Sequence, residues 1–376
     1  MTELGRLGSA RRLLAKSRVV WVEHGVSPAD QWREYRRFHD AIGMIPTECF
    51  GYDLWDTGRP MAERMRFISN RERRAIEYLM NPREANLELR HKGRASIVMT
   101  AAGIPVGDVL GLLTLRTDVH PPTPDYRWWK GTSGVRELLR VVPAEGIVIK
   151  PDDGGGGRSV HVFRAAGPDG LVALDHTAWS VDRLLTVLRT ERLWKVERRV
   201  LPHPVLAGIA GETLGTLRFL TFRMLDGTVH LATTAWKIPE GLSGLDHFQH
   251  GAGAFAAAVD PATGAVGPGR KWHGLSHTDI HPTTGQRISG TIIPHWADAC
   301  RLAIQVAECF PKLASLGLDI AIAREGPVVI EANPCWGERP NQVAALQGLV
   351  HGRFLEFLTE RGFDSVMNLG ARRDVA

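Results

Sequence analysis

Two stretches near the N-terminus space their apolar side chains as amphipathic helices do. In the segment PADQWREYRRFHDAIG, the apolar positions 32, 35, 38 and 42 follow one another at steps of three and four. In SNRERRAIEYLMNP, Ser69 precedes Glu72 by three residues, as in a capping box, and the segment ends at Asn81-Pro82. The pattern therefore predicts helices over residues 28–90.

From residue 93 onwards the apolar positions come in short runs. The segment GRASIVMTAAGIPVGDVLGLLTL predicts a helix, a turn and then a strand. Residues 180–190 are predicted to be helical. The tripeptide Leu225-Asp226-Gly227, between the apolar runs at 217–224 and 229–238, is a favourable hairpin turn. Five such runs predict strands: IVIK (147–150), VHVF (160–163), LWKVERRV (193–200), LRFLTFRM (217–224) and VHLATTAWKI (229–238).

The C-terminal third contains three segments with different residue patterns. Residues 239–295 are rich in Gly, His, Pro and Thr, which predicts a loop-dominated segment with one hairpin. Residues 296–314 have the spacing of an amphipathic helix. Residues 318–333, LDIAIAREGPVVIEAN, predict two strands around an Arg-Glu-Gly-Pro turn.

Length and composition fit a globular chain of two or three domains. The sequence has 376 residues, of which 44% are hydrophobic and 23% charged. It contains no apolar run of about 18 residues, and its N-terminus lacks the apolar core of a signal peptide. The four cysteines show no CxxC spacing, so we expect reduced thiols and a cytoplasmic protein.

The net charge of +5 is concentrated at the N-terminus. Residues 1–100 hold 18 Lys and Arg against 13 Asp and Glu, and the rest of the chain is balanced. This excess indicates either attraction to an acidic substrate or an ordinary solvated helical surface. The arginines are not interleaved with aromatic residues, so we expect no nucleic-acid binding. Because no apolar run is long enough to span a bilayer, we also expect no membrane partner.

The most unusual segment is IVIKPDDGGGGRSV, residues 147–160. Four consecutive glycines are costly to order, and here they lie between two predicted strands, directly after Lys150-Pro151. Such a hairpin can present backbone N–H groups to phosphate oxygens, with Lys150 adding a point charge. A plain flexible turn is the alternative. Asp152 and Asp153 would repel phosphate, so we expect them to point outward or to pair with Arg158.

A second cluster of polar residues lies on the two strands of 318–333. Glu331 and Asn333 are two residues apart and share one face of a strand, and a hairpin would place Asp319 opposite Glu331 to within about one residue of register. Unpaired buried carboxylates are costly, and a hard divalent cation such as Mg²⁺ would stabilise them. A salt-bridged pair at a sheet edge is the alternative.

These features, in this order, resemble the ATP-grasp superfamily. The closest resemblance is to the sugar-transfer-associated ATP-grasp family, seen in LPHPVLAGIAGETLGTLRFLTF, HPTTG, IIPHW and LGLDIAIAREGPVVIEANPCWG. It implies an α+β fold in which two subdomains grip ATP, preceded by a mainly helical region. We expect boundaries at 1–88 (helical region), 89–200 (first subdomain, with the glycine-rich flap), 201–345 (second subdomain, with the metal site) and 346–376 (C-terminal helix and tail).

The resemblance also implies roles for individual residues. Lys150, Ser159 and the flap glycines Gly154, Gly155, Gly156 and Gly157 would hold ATP phosphates. Glu197, Arg198 and Val200 belong to the hinge that would take the adenine, and His203 would reach the ribose. Lys237 would contact phosphate and Arg218 would stabilise the transferring phosphoryl group. Asp319, Glu331 and Asn333 would hold Mg²⁺, with Mn²⁺ as a substitute.

The chemistry implied is ADP-forming ligation of a carboxylate to an amine or another nucleophile, in secondary metabolism or cell-surface sugar modification. The substrates would be small molecules such as sugar or amino-acid derivatives, and a homodimer is compatible with the sequence. Two alternatives remain open: a small-molecule kinase that uses the same ATP site, and a nucleotide-binding protein without catalysis.

Several further residues are candidates for the site. His273, His277 and His281 are four apart, which on a helix would suit zinc, but their segment has loop character and favours a pocket lining or a surface position. Cys335 is more consistent with a buried thiol than with a nucleophile. Trp236 and Trp336 adjoin the predicted site in sequence.

Overall fold

The computed structural model describes residues 3–120, 125–153, 159–167, 169–242, 248, 254–272, 277–365 and 367–373. Over these residues the helices are α1 Glu3–His24, α2 Pro28–Ile42, α3 Pro46–Gly51, α4 Met61–Arg64, α5 Asn70–Met80, α6 Arg83–Arg90, α7 Lys92–Ala101, α8 Gly131–Arg140, α9 Val181–Leu188, α10 Pro204–Ala210, α11 Trp296–Cys309, α12 Arg339–Ala345, α13 Gly352–Glu360 and α14 Leu369–Arg373. The strands are β1 Val109–Thr114, β2 Trp128–Lys130, β3 Ile147–Pro151, β4 His161–Gly167, β5 Gly170–Ala173, β6 Ala178–Ser180, β7 Trp194–Arg198, β8 Thr216–Arg223, β9 Val229–Ile238, β10 Phe255–Val259, β11 Val266–Arg270, β12 His277–Thr278, β13 Ser315–Ile322 and β14 Pro327–Asn333.

The N-terminal region is helical, as the spacing of its apolar residues predicts. Helices α1 to α7 all precede the first strand. The capping box at the start of α5 is present: Glu72 N donates to Ser69 Oγ at 3.2 Å, and Ser69 N donates to Glu72 Oε2 at 3.0 Å. Helix α1 was not predicted, because exposed apolar residues such as Leu14 and Val22 obscure any apolar stripe.

The strands form two seven-stranded sheets, which confirms the α+β class. The first sheet has the order β2-β1-β7-β3-β4-β5-β6, and the second has the order β12-β11-β10-β9-β8-β13-β14. The predicted hairpin around Leu225-Asp226-Gly227 is the β8–β9 pair, and β10–β11 is the hairpin expected within residues 239–295. Strand β13 begins at Ser315, three residues before the predicted start.

The two sheets meet where the chain passes from α7 into β1. Leu89 and Met99, from α6 and α7, belong to the core of the second sheet. Val106 then forms a parallel bridge with Val329 of β14, and Val329 N donates to Pro105 O at 2.8 Å. The next strand, β1, belongs to the first sheet. The ends of β3 and β7 therefore lie beside β14. The predicted division of the chain into four parts stays a prediction.

None of the described helices is both long enough and apolar enough to cross a bilayer.

Candidate active site

Two lysines share one carboxylate on the first sheet. Lys150 of β3 pairs in register with Lys195 of β7, and Glu197 follows two residues later on the same face. Glu197 Oε2 lies 2.6 Å from Lys150 Nζ, and Glu197 Oε1 lies 2.7 Å from Lys195 Nζ. All three side chains are buried. The cluster therefore places two ammonium groups and one carboxylate out of contact with bulk water.

The pKa values show how strongly this cluster is coupled. Burial raises the pKa of Glu197, but attraction and hydrogen bonds from Lys150 and Lys195 outweigh burial and hold its pKa at about 2. Burial lowers the pKa of Lys150, yet Glu197 keeps that pKa above its ordinary value. For Lys195 the effect of burial outweighs the attraction of Glu197, so the pKa of Lys195 is lowered. An excess of buried positive charge is suited to a polyanionic ligand.

A second charged cluster lies on the neighbouring sheet. Asp319 of β13 contacts Arg218 of β8 (Oδ2 to Nη2, 3.3 Å) and Lys237 of β9 (Oδ1 to Nζ, 3.0 Å). Burial raises the pKa of Asp319, but these two cations outweigh it and leave that pKa below its ordinary value. Arg218 Nε and Nη1 are buried and have no hydrogen-bond partner in the described part of the chain. Its guanidinium can therefore bind further acceptor oxygens.

The predicted register of the β13–β14 hairpin is confirmed. Asp319 pairs with Glu331, and Asn333 pairs with Gly317. The ladder then shifts, so that Ile320 pairs with Val329 and Ile330 is the extra residue of a bulge. Ile330 O accepts a hydrogen bond from Lys150 Nζ at 3.4 Å. The bulge thus brings the lysine of the first sheet next to the carboxylates of the second.

The donor set on this hairpin fits a hard divalent cation. Cross-strand partners such as Asp319 and Glu331 have Cβ atoms about 5 Å apart, and the Asn333 amide oxygen lies two residues farther on. Among the described residues no group of three or more His, Cys, Asp and Glu side chains is placed to hold a metal ion. The ligand set of Asp319, Glu331 and the Asn333 amide therefore stays a prediction. Oxygen donors of this kind suit Mg²⁺.

Two lysines of the site were not predicted from the sequence. Lys92, the first residue of α7, places Nζ 3.5 Å from Glu331 Oε1. Lys195 Nζ donates to Ser96 Oγ of the same helix at 2.6 Å. The Lys-Val-Glu spacing, which puts Lys195 on the same face as Glu197, was a usable signal. Lys92 lies in a basic N-terminal region in which one lysine does not stand out.

The predicted hinge residues have other contacts. Arg198 pairs with Asp108 at 3.0 Å and with Glu145 at 3.1 Å. Val200 is half-buried just after β7. The Nδ1 atom of His203 accepts a hydrogen bond from the backbone N–H of Val205 at 3.2 Å and so caps α10. Contacts of these residues with adenine or ribose stay predictions.

The glycine flap lies outside the described residues. This holds for Gly154, Gly155, Gly156 and Gly157 and for Arg158, so their contacts with phosphate stay a prediction. Ser159, the next residue, has a φ of 64°, in the left-handed region that favours glycine. A serine therefore occupies a backbone conformation that glycine adopts more readily.

The expectation that the two aspartates point outward is wrong for Asp152. This residue is fully buried, and its Oδ1 accepts a hydrogen bond from Gly93 N at 2.9 Å. Asp153 is exposed and pairs with Arg90 at 2.8 Å. The physical reason is that helix α7, distant in sequence, begins beside the end of β3 and offers backbone donors to Asp152.

The remaining candidates differ in their burial. The rings of Trp236 and Trp336 are buried in two hydrophobic cores. His277 is exposed, His281 is buried with Nε2 2.9 Å from Pro239 O, and His273 lies outside the described residues. Cys335 is exposed rather than buried. Partial desolvation and Glu77 raise the pKa of its thiol, which disfavours a nucleophilic thiolate.

Comparison with known proteins identifies the family. The model of the sugar-transfer-associated ATP-grasp family matches residues 71–356. Because the match covers most of the chain, this protein belongs to that family, as its motifs predict. No curated protein sequence matches the chain.

The solved structures that match this chain are distant from it in sequence. D-alanyl-alanine synthetase A from Vibrio cholerae has 14% identity and a TM-score of 0.43, with 77% of this chain and 68% of that chain covered. An N5-carboxyaminoimidazole ribonucleotide synthetase in complex with ADP has 12% identity and a TM-score of 0.39, with 66% of this chain covered. An L-amino acid ligase from Bacillus licheniformis has 12% identity and a TM-score of 0.36, with 69% of this chain covered. The matched region spans 45% of the N5-carboxyaminoimidazole ribonucleotide synthetase chain and 43% of the L-amino acid ligase chain.

Proposed function

We propose that this protein is an ATP-dependent ligase that activates a carboxylate as an acyl-phosphate, releases ADP and joins the acyl group to an amine or another nucleophile. The observation that carries the proposal is the contact of Lys150 Nζ with Ile330 O. It joins a buried, positively charged cluster suited to polyphosphate to a carboxylate hairpin suited to Mg²⁺. Secondary metabolism or cell-surface sugar modification would supply the substrates.

The proposed nucleotide site combines residues of both sheets with one residue of helix α7. Lys150, Lys195 and Lys92 would neutralise the phosphates, and the strand end at Glu197 to Val200 would take the adenine. Asp319, Glu331 and Asn333 would hold Mg²⁺ or Mn²⁺, which supplies charge neutralisation at the phosphate oxygens. The flap glycines 154–157 would add backbone N–H donors.

The transfer itself needs positioning and charge stabilisation rather than a protein nucleophile. A carboxylate oxygen of the substrate attacks the γ-phosphorus, and the bond to the bridging oxygen breaks with its electron pair leaving on ADP. The nucleophile then attacks the acyl carbon, loses a proton and expels phosphate. Arg218, with two unpartnered guanidinium nitrogens, and Lys237 would stabilise the phosphoryl oxygens during the first step.

Hydroxylamine trapping tests this reaction. The protein is incubated with ATP, Mg²⁺, hydroxylamine and a panel of amino acids and sugar acids. We expect ADP together with a hydroxamate, because hydroxylamine intercepts an acyl-phosphate. A stable phosphorylated product without hydroxamate would instead identify a kinase. ATP binding without ADP formation with any acceptor would indicate a non-catalytic nucleotide-binding protein.

Arg218→Lys tests the role of the guanidinium. We expect ADP formation to fall by about 10²-fold, since lysine cannot offer two fixed N–H donors to one phosphoryl group. ATP affinity, measured by calorimetry, should change little, because the cluster of Lys150, Lys195 and Glu197 is unchanged. Arg223→Lys on the same strand is the control, since Arg223 binds the carbonyl oxygens of Gly227 and Ala307. Equal losses in the two variants would contradict the assignment.

A further inference from the structure

Helix α7 begins without a cap from its own sequence. The preceding residue, His91, makes no side-chain capping hydrogen bond, and the first turn has no acidic residue. The first N–H groups of a helix have no partner within the helix. Here they bind Asp152 at the end of β3: Oδ1 accepts from Gly93 N at 2.9 Å, and its backbone carbonyl accepts from Lys92 N at 3.1 Å.

Asp152 is itself held on several sides. Its backbone N–H donates to Leu193 O at 3.0 Å, and its Oδ2 lies 3.3 Å from His91 Nδ1. A Cβ at position 93 would lie 3.1 Å from Oδ1, so glycine at that position leaves room for the carboxylate. A buried carboxylate with these partners has one defined orientation, and its negative charge at a helix N-terminus is favourable.

The turn that Asp152 caps carries part of the candidate active site. Lys92 extends from it to Glu331, and Lys92 O accepts hydrogen bonds from Lys195 Nζ at 3.4 Å and from Ser96 Oγ at 2.9 Å. Lys195 in turn binds Glu197, which binds Lys150, only two residues before Asp152. The contacts form a closed ring through α7, β7 and β3.

We propose that Asp152 is a positioning residue for nucleotide binding: by capping α7 it sets Lys92 and Lys195 relative to Lys150. The inference rests on the proposed function, since it assumes that these lysines bind the phosphates of ATP. Asp152 does not touch the nucleotide. It acts through the first turn of α7, and its loss lets Lys92 move away from Glu331.

A double-mutant cycle in ATP affinity tests this role. Dissociation constants for ATP with Mg²⁺ are measured by calorimetry for the wild type, Asp152→Ala, Lys92→Ala and the double variant. We expect Asp152→Ala to weaken binding by about tenfold in the wild-type background and by clearly less in the Lys92→Ala background, where only Lys195 remains for α7 to position, because residues that act as one unit are not additive. Asp153→Ala, next in sequence but exposed, should stay within about twofold of the wild type.

Asp152→Asn adds a second comparison. Its amide oxygen still accepts from Gly93 N, so we expect it to recover most of the lost affinity. Where Asp152→Ala loses the far-ultraviolet circular dichroism of the native chain, the cycle is run with Gly93→Ala instead, because its Cβ would lie 3.1 Å from Asp152 Oδ1 and would displace the carboxylate. Additive effects of the Asp152 and Lys92 substitutions, or equal effects at Asp152 and Asp153, would overturn the positioning role of Asp152 and leave the proposed function standing. A wild-type chain that does not bind ATP would overturn the proposed function as well.

Discussion

Replacing Glu331 by alanine is expected to reduce ADP formation by at least about 10²-fold, close to complete loss. Glu331 faces Asp319 across the β13–β14 hairpin, and its carboxylate would be a ligand of the divalent cation. Without it the site keeps one carboxylate and one amide, which bind Mg²⁺ poorly. The measurement is ADP release at increasing Mg²⁺ concentration, and the remaining activity should require more metal than the wild type does.

The fold should tolerate this substitution. The Glu331 side chain is 28% exposed and contacts Lys92 at 3.5 Å, so no buried charge pair is broken. Glu325→Ala, at the exposed turn of the same hairpin, is the matched control and should keep full activity. Turnover of Glu331→Ala at the wild-type rate, with unchanged Mg²⁺ dependence, would refute the metal assignment.

Replacing Glu197 by glutamine is expected to lower the free energy of unfolding by about 3 kcal/mol at neutral pH. The pKa of Glu197 is about 2 in the folded chain against an ordinary value of 4.5, and each pKa unit corresponds to about 1.4 kcal/mol. The substitution also leaves Lys150 and Lys195 buried beside a neutral amide, the kind of change that destabilises strongly. Denaturant unfolding at pH 7.5 without nucleotide measures the loss.

The stabilisation by the Glu197 carboxylate should decrease at low pH. A carboxylate whose folded pKa is depressed contributes stability above its unfolded pKa, and that contribution disappears as the pH falls through the folded value. The difference between wild type and Glu197→Gln should therefore be full above about pH 5 and should narrow as the pH falls toward 2. Glu145→Gln, at an exposed pair with Arg198, should leave the unfolding midpoint unchanged at every pH. A constant difference across this range would contradict the assignment of the stability to the Glu197 charge.

Much of the architecture is readable from local patterns. The four-residue turn between β13 and β14 pairs the two strands and brings Asp319 to within one residue of Glu331, and the bulge at Ile330 then sets Glu331 as its partner. The capping box at Ser69 and the hairpin at Leu225-Asp226-Gly227 likewise depend on residues close in sequence. The order of the motifs was enough to indicate the family that the match over residues 71–356 confirms.

The tertiary structure decided which charges meet. Lys92 and Glu331 are far apart along the chain, and only the passage from α7 on one sheet to β1 on the other brings them together. The same passage turns Asp152 inward to cap α7, where the sequence suggested a solvated turn. Periodicity and turn chemistry act over a few residues, so the sequence by itself determined many of the helices and strands, the strands that pair as hairpins, and the family. The partners of each buried charge depend on contacts between distant segments, which no local pattern encodes.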